Sequence, residues 1–335
     1  MTPSGRAAWL GVLSLILVLV CVPRFNRQDL GFLGALTSGG ATATEEKGDA
    51  EFYETYVQVF RGEASRDALT TPFSYRPLVP LLAAPLPFGA MTALNLVNLV
   101  GLEIGMLFLF LILRRLGGSD PLALLGCALY AVSFPVFYYG SVGIVDPVLV
   151  GFVTAGTYCI LADRLRWLVA VSLLGVLCKE TVVVLLAPLF VHLWRARALG
   201  FVAALVLTGA LGLGMAAVEV GVRLQVPGTA GHGWPMSLAS LLENLQRPRA
   251  VLSFLLGLGV PGAAALLFAA GRASEVVRRP ELATLAAGFL ATLALSFYAM
   301  LAAYADGRFI WLSYPFSIPL AMVFAAQLRE QRSRA

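Results

Sequence analysis

The sequence has few charged residues for its length. Charged side chains make up 13% of its 335 residues and hydrophobic ones 59%, whereas soluble domains average roughly 25% and 45–50%. A water-soluble fold cannot bury that much apolar surface, so the composition predicts a membrane protein. The formal net charge of +5 does not indicate a nucleic-acid partner, because the basic residues stand in twos and threes beside apolar runs rather than in one basic stripe.

Histidine and cysteine are also scarce. The only histidines are His192 and His232, which argues against a catalytic triad or a metal site built on histidine. The four cysteines have no CxxC spacing and fall within or at the ends of apolar runs. We therefore expect free thiols rather than disulfides or a metal centre.

Long apolar runs dominate what is present. A helix needs about 20 apolar residues to cross a bilayer. The run from Arg6 to Cys21 could be a signal peptide, but branched Val20 does not suit a lipoprotein cleavage site, so we interpret it as an uncleaved first span. Runs of suitable length occupy residues 8–23, 91–113, 121–139, 144–162, 199–220, 251–271, 281–304 and 309–327.

The stretch from Arg166 to Trp194 is ambiguous. As one helix it would be about 42 Å long, with Lys179 and Glu180 at its centre, where each would cost about 2.5–3.5 kcal/mol. A reversal at Cys178-Lys179-Glu180-Thr181 instead predicts a hairpin whose polar tip lines a cavity.

The positions of the arginines decide between these alternatives. Cytoplasmic loops of membrane proteins are enriched in Lys and Arg, and only the hairpin places every arginine cluster on one side. We therefore expect an all-α polytopic bundle of about ten spans, a single domain over residues 1–335, with both termini cytoplasmic. The Ala-, Leu- and Arg-rich composition favours a bacterial inner membrane. The arginines assigned to the cytoplasmic side are Arg6, Arg114, Arg115, Arg164, Arg166, Arg195, Arg197, Arg272, Arg278, Arg279, Arg329, Arg332 and Arg334.

Two longer loops then lie on the outer side, at residues 24–88 and 222–250. The first contains an amphipathic helix predicted from Ala50 to Arg61, which we expect to lie on the membrane surface. Prolines make residues 76–88 a broken, re-entering segment rather than a span. The predicted apolar side of the helix consists of Phe52, Tyr56, Val59 and Phe60.

Acidic and basic residues from five separate segments share the predicted outer half, whereas the inner side carries mostly arginine. A functional site is therefore expected to open outward. These residues are Asp49, Glu51, Arg76, Asp146, Lys179, Glu180, Asp306 and Arg308.

The motifs around these residues resemble the GT-C superfamily of integral membrane glycosyltransferases, in particular the membrane cores of protein mannosyltransferases and aminoarabinose transferases. The resemblance follows the order of the chain, although Ala50 separates the acidic pair that the family usually places side by side. The matching motifs are Gly48-Asp49-Ala50-Glu51-Phe52-Tyr53, Tyr75-Arg76-Pro77-Leu78-Val79-Pro80, Asp146-Pro147, Cys178-Lys179-Glu180-Thr181, Asp306-Gly307-Arg308 and Tyr314-Pro315.

The resemblance implies a sugar transferase of the outer face. Its donor would be a polyprenyl-phosphate-linked sugar and its acceptor an unidentified hydroxyl or amine, with membrane lipids as further partners and no nucleic acid. Asp49 and Glu51 would be catalytic, and a Mg²⁺ or Mn²⁺ ion could bind them. The residues expected to bind lipid phosphate or sugar are Tyr53, Arg76, Asp146, Lys179, Glu180, Asp306 and Arg308.

The chemistry of such a transfer supports these roles independently. A carboxylate must take the acceptor proton, and cations must hold the departing phosphate. Structural roles remain open for the same side chains, because Asp49 could cap the helix that starts at Ala50. Local alternatives for the others are a Lys179–Glu180 pair, an Asp306–Arg308 surface pair and a cap at Asp146.

Two other classes of function also remain open: a transporter or channel, and a non-catalytic membrane assembly protein. A transporter predicts charges through the whole membrane depth. The bias to one side argues against it, apart from Glu103 near the middle of a span, for which the sequence indicates no partner. Gly101 and Gly105 flank it in a GxxxG motif that favours close helix packing.

Overall fold

A computed structural model describes residues 1–25, 48–226, 236–302 and 306–334. Over these residues the chain forms helices and turns but no strand. Five helices are long and apolar enough to cross a membrane, which indicates a membrane protein. Residues 26–47 of the first predicted outer loop and residues 227–235 of the second, which include His232, lie outside the described residues.

The helices in the first half of the chain begin with a long apolar helix and a short amphipathic one. They are α1 (Pro3–Cys21), α2 (Ala50–Arg61), α3 (Leu78–Ala83), α4 (Ala90–Arg115), α5 (Asp120–Ala131), α6 (Phe134–Tyr139), α7 (Asp146–Leu161) and α8 (Leu165–Cys178). Those in the second half are α9 (Leu186–Val191), α10 (Phe201–Gln225), α11 (Leu238–Gln246), α12 (Pro248–Gly271), α13 (Ala273–Arg278), α14 (Pro280–Ala302), α15 (Gly307–Trp311) and α16 (Tyr314–Arg334).

The predicted span 121–139 is two helices rather than one. α5 ends at Ala131, and the hydroxyl of Ser133 accepts a hydrogen bond from the N–H of Val136 and so begins α6. Both halves lie beside α1: the amine of Met1 is 3.3 Å from Asp120, and Arg24 donates to the carbonyl of Phe137 at the other end of α1. Helices α5 and α6 together therefore run along the whole length of α1.

The chain reverses at Lys179, as the charged pair at this position predicts. α8 ends at Cys178, Lys179 is extended, and the next turns return along α8, so that Val182 packs against Gly175. The far ends of the two arms meet where His192 lies 2.8 Å from Asp163. The stretch 166–194 is therefore a hairpin, not one long helix.

Basic residues gather at the end of the bundle opposite the hairpin tip. We call this the arginine end and define it by Arg6, Arg114, Arg115, Arg195 and Arg279. Arg114 lies 3.0 Å from Asp120, Arg115 donates to the carbonyl of Leu161, and Arg195 donates to that of Val277. These contacts join turns from distant parts of the chain at one end.

The α4–α7 pair forms the most closely packed part of the bundle. Asn98 near the start of α4 donates to the carbonyl of Ile144 just before α7, while Arg115 at the end of α4 reaches Leu161 at the end of α7, so the two helices run parallel. A Cβ added to Gly101 would lie 2.7 Å from the Cα of Val148, and one added to Gly151 would lie 2.6 Å from the carbonyl of Gly101. Glycine here lets the two backbones touch.

The amphipathic helix α2 occupies the predicted residues but buries a partly different face. Tyr53, Tyr56 and Val57 are buried, whereas Phe60 is 40% exposed. The helix packs on α3, α4 and the turn at residues 73–75, so Tyr53 faces protein. The predicted apolar side was wrong only in part: Tyr56 is buried and Phe52 packs on Phe73, but Phe60 is exposed. Tyr53 was not predicted to be buried, and its hydroxyl accepts a hydrogen bond from Arg76.

The proline-rich segment after α2 is a short helix followed by turns. α3 has only six residues, which is about 9 Å of helix and too little to cross a bilayer. Arg61, at the end of α2, holds the segment by donating to the carbonyls of Ala84, Leu86 and Phe88. One guanidinium thus satisfies three carbonyls that the broken backbone leaves without helical partners.

Glu103 has a partner that its sequence context did not reveal. The hydroxyl of Ser14 on α1 donates to its carboxyl group at 2.8 Å. α1 is an otherwise apolar helix with few buried residues. The hydrogen bond therefore connects two helices through the polar groups that each carries in an apolar stretch.

We predict that Gly101→Ala destabilises the protein because its new Cβ must push α7 away. Overpacking of this kind costs about 1–3 kcal/mol. Gly209→Ala on α10 is the matched control, since a Cβ there meets nothing within 4 Å. Thermal unfolding in detergent should separate the two variants, and equal melting temperatures would contradict the close α4–α7 contact.

Candidate functional site

The end of the bundle at the hairpin tip carries a cluster of charged side chains. Arg308, on α15, lies 2.6 Å from the carboxylate of Asp49 and 2.9 Å from that of Asp306. Its side chain is 20% exposed and that of Asp49 is 33% exposed. The guanidinium is thus shared by two carboxylates at a half-buried surface, where charge-assisted hydrogen bonds are strong.

The backbone around Arg308 is fixed from two sides. Asp306 caps α15 by accepting the N–H of Arg308. The hydroxyl of Ser253 on α12 accepts the N–H of Gly307 at 2.8 Å, and Ser253 is in turn 2.8 Å from the hydroxyl of Tyr139. A Cβ at Gly307 would lie 2.4 Å from the carbonyl of Ser253, so α12 can approach the turn only because residue 307 is glycine.

Lys179 forms the second ion pair of the cluster. Its ammonium lies 2.7 Å from the carboxylate of Asp146, and the two side chains are only 6% and 4% exposed. The ammonium also lies 5.3 Å from the ring centre of Phe309, next to Arg308. The hairpin tip is therefore attached to α7 by a buried pair and reaches α15 through an aromatic ring.

Arg76 forms the third ion pair. It donates two hydrogen bonds to Glu180, of 2.6 and 3.0 Å, and a third to the hydroxyl of Tyr53 at 2.9 Å. This bidentate geometry is the strongest that an arginine makes with a carboxylate. Because Arg76 is buried, its contacts tie α2, the loop segment and the hairpin tip into one rigid group.

The turn before α7 is held by two asparagines of α4. Asn95 accepts the N–H of Gly143, and Asn98 donates to the carbonyl of Ile144. Gly143 has a φ of +75°, and a Cβ there would lie 3.4 Å from that of Ala50. The glycine thus allows this turn to reach the start of α2, and so brings Asp146 towards Asp49.

Asp49 is ionised at neutral pH. Burial raises the pKa of its carboxyl group, but the charge of Arg308, the hydrogen bond from Arg308 and the charge of Lys179 together outweigh burial, so the pKa lies below its ordinary value. The pair therefore contributes its full stability at neutral pH and loses it as the pH falls through this lowered pKa. As long as Arg308 holds it, Asp49 is a weak proton acceptor.

The structure brings together all the predicted site residues except Glu51, which is exposed on the outer side of α2. Several local alternatives are wrong. The side chain of Asp49 makes no capping hydrogen bond, and Lys179 and Glu180 pair with Asp146 and Arg76 rather than with each other. The Asp306–Arg308 pair exists, but it extends to Asp49.

Other residues support the cluster although sequence reasoning did not select them. Phe309 lies between Lys179 and Arg308, while Ser253 and Tyr139 hold the α15 turn. Asn95 and Asn98 did carry a signal, because they are two amides three residues apart in a helix whose residues are mostly apolar. Polar residues in such helices usually have a specific partner.

The predicted Asp49–Glu51 metal site stays a prediction. Asp49 is bound to Arg308, and Glu51 lies on the exposed side of α2. Within the described ranges, no three His, Cys, Asp or Glu side chains are grouped as ligands of a metal ion. The chemistry proposed below is built on the side chains of this cluster.

Comparisons with known proteins add no relative. No protein-family profile matches the chain, and neither a curated protein nor a solved structure is significantly similar to it. The GT-C resemblance accordingly depends on the motifs quoted above, and the function must be inferred from the residues of the cluster.

We predict that Lys179→Met destabilises the protein by about 3–5 kcal/mol, because it leaves the buried Asp146 carboxylate without its cation. Adding Asp146→Asn should recover much of this loss. The control is Lys179→Met combined with Glu180→Gln, which should recover nothing because Glu180 belongs to Arg76. Unfolding of the purified variants in detergent measures both, and rescue by the control would mean that Lys179 and Glu180 pair with each other.

Proposed function

We propose that this protein is a GT-C type glycosyltransferase that moves a sugar from a polyprenyl phosphate donor to an acceptor hydroxyl or amine. One observation carries the proposal: a partly exposed carboxylate, Asp49, lies 2.6 Å from a guanidinium, Arg308. This transfer needs a base for the acceptor proton and a cation for the phosphate, next to each other. Five segments of the chain converge to present them.

Arg308 links donor binding to the activation of Asp49. In the structure Arg308 is shared by Asp49 and Asp306. The donor phosphate has two non-bridging oxygen atoms, which can accept two parallel hydrogen bonds from the guanidinium of Arg308. When it binds, the phosphate takes the place of Asp49 beside Arg308. Asp49 thereby loses its neutralising partner and becomes a better proton acceptor, while Asp306 keeps Arg308 in position.

The transfer itself uses Asp49 and Arg308. The Asp49 carboxylate takes the proton from the acceptor oxygen or nitrogen, which forms a bond to the anomeric carbon of the sugar. The bond between that carbon and the phosphate oxygen breaks, and its electron pair leaves with the polyprenyl phosphate. Arg308 stabilises the charge that develops on this phosphate.

The remaining charges of the cluster position the reacting groups. Lys179 contributes positive charge beside Arg308, and its pair with Asp146 keeps the hairpin tip in place. Arg76, Glu180 and Tyr53 hold α2 against the tip. Because α2 begins directly after Asp49, this rigid group sets the position of the base.

The proposal includes a topology. We infer about ten passes, with the charged cluster on the outer face of a bacterial inner membrane and both termini in the cytoplasm. The gathering of arginines at the opposite end supports this orientation, because cytoplasmic turns are enriched in Arg and Lys. The lipid of the donor would enter sideways between helices, and the acceptor from the aqueous side.

A transporter is the main alternative. It would need charged side chains leading from the cluster towards the arginine end. Glu103 lies near the middle of the long apolar helix α4, and its carboxyl group accepts a hydrogen bond from Ser14 on α1. Few residues of α1 are buried. That position is at the periphery of the bundle rather than on a path from the cluster, and it favours the transferase.

We predict that Asp49→Asn lowers sugar transfer by roughly 10² to 10⁴, the usual contribution of a positioned base. Its stability should stay within about 1 kcal/mol of wild type, because the pair is partly exposed and Arg308 keeps Asp306. The measurement is release of polyprenyl phosphate by purified protein from a panel of labelled polyprenyl-phosphate hexoses and pentoses, with bacterial membrane extract supplying the acceptor.

Glu51→Gln is the matched control for this experiment. Glu51 lies two residues away on the exposed side of α2, and its neutralisation should leave transfer within a factor of about 3. Normal turnover in the Asp49→Asn variant would mean that Asp49 is not the general base. If the Glu51 variant alone lost activity, the catalytic role would belong to Glu51.

We predict that a cysteine at Ser65 is labelled from outside intact cells by an impermeant reagent, whereas one at Ser333 is labelled only after the membrane is opened. Both positions are exposed, and the four native cysteines are buried and give little background. The reverse pattern would invert the orientation, and would place the charged cluster on the cytoplasmic face.

A further inference from the structure

A recess at the arginine end has no role in the proposed transfer. It has a volume of about 690 Å³ and lies between the end of α4, the start of α5 and the second half of α16. Most of its wall is apolar, and two arginines also line it. The side chains used in the following argument are Leu113, Leu116, Leu122, Met322, Arg279 and Arg329.

The charge around this recess is positive. Arg279 is 44% exposed, and its guanidinium is 3.9 Å from Glu275, at the limit of an ion pair. Glu275 is itself engaged by Gln327 and lies 3.7 Å from Arg272. Arg329 is exposed and makes no hydrogen bond or ion pair with any described residue, and none of the described lining residues is acidic. An anion would find both guanidinium groups accessible.

The wall of the recess also contains an unsatisfied acceptor. Gln327 donates through Nε2 to Glu275, but its Oε1 atom is buried and has no hydrogen-bond partner. A buried carbonyl oxygen without a donor costs about 1–3 kcal/mol. The recess therefore combines positive charge with an apolar wall, and Gln327 is one of its lining residues.

We propose that this recess binds one anionic phospholipid. Its phosphate would lie at Arg279 and Arg329, and the first part of an acyl chain would run along Leu116 and Leu122. Basic recesses between membrane helices are suited to anionic lipid headgroups. Free phosphate explains the charge but not the apolar wall, and the inference does not depend on the transfer chemistry.

The test is native mass spectrometry of the full-length protein, titrated in detergent with phosphatidylglycerol or with phosphatidylcholine. Wild type should retain phosphatidylglycerol preferentially. The double variant Arg279→Gln/Arg329→Gln should lose this preference by roughly 10-fold to 30-fold, since each arginine near an anionic lipid is worth about a factor of five. Arg278→Gln is the matched control: it removes an exposed arginine beside Arg279 that does not line the recess.

The variant Leu122→Trp tests the recess in a second way, without changing any charge. By narrowing the recess it should lower phosphatidylglycerol retention at least about 3-fold, and it also serves if the arginine variants do not fold. Equal loss in Arg278→Gln and the double variant would mean that only net charge matters and would overturn the site. If inorganic phosphate displaced phosphatidylglycerol and the Leu122→Trp variant retained phosphatidylglycerol fully, the recess would be a site for free phosphate rather than for a lipid.

Discussion

The charged tip of the hairpin is the constraint on which the rest of the cluster depends. Lys179 and Glu180 stand between two apolar arms, where unpaired charges would be costly, and each needs an opposite charge from elsewhere in the chain. Asp146 at the start of α7 supplies one and Arg76 from the first loop supplies the other. Because these two partners come from two separate earlier segments of the chain, pairing the charges of the tip also assembles the end of the bundle.

That assembly explains why Asp49 is where it is. Arg76 reaches Tyr53 as well as Glu180, so α2 is drawn against the hairpin tip and its N-terminal residue faces α15. The asparagines of α4 bring the turn at Gly143 against Ala50 from the other side. Asp49 and Arg308 are thus held close by contacts that neither residue makes itself, as expected of a preorganised site.

The two ends of the bundle have different charge patterns, and they suit different tasks. In the charged cluster, Arg76, Lys179 and Arg308 each have a carboxylate partner, so an incoming anion must compete with one of these carboxylates. At the arginine end, Arg279 is weakly paired and Arg329 has no described partner. The first arrangement suits an anion that binds and leaves during a reaction, and the second suits one that stays bound.

The sequence alone predicted much of the architecture. The apolar runs are long enough to indicate the helices, and the charged pair in the stretch 166–194 requires a reversal, because charges cannot lie at the centre of a lipid-facing helix. The grouping of the charged residues at one end followed from the same argument. The sequence also indicated which side chains suit each chemical role: a carboxylate to accept the proton, and arginines and a lysine to bind the phosphate.

Only the tertiary structure decided which charges meet. Arg76 and Glu180 are 104 positions apart, and Asp49 and Arg308 are 259 apart. Helices that are apolar on all sides give no indication of which face turns inward, so their sequence does not reveal how they are rotated in the bundle. The partner of Glu103, the buried face of α2 and the choice of Asp49 as an ion-pair partner rather than a cap all depend on those rotations. For this reason local spacing predicted the members of the cluster but not their pairing.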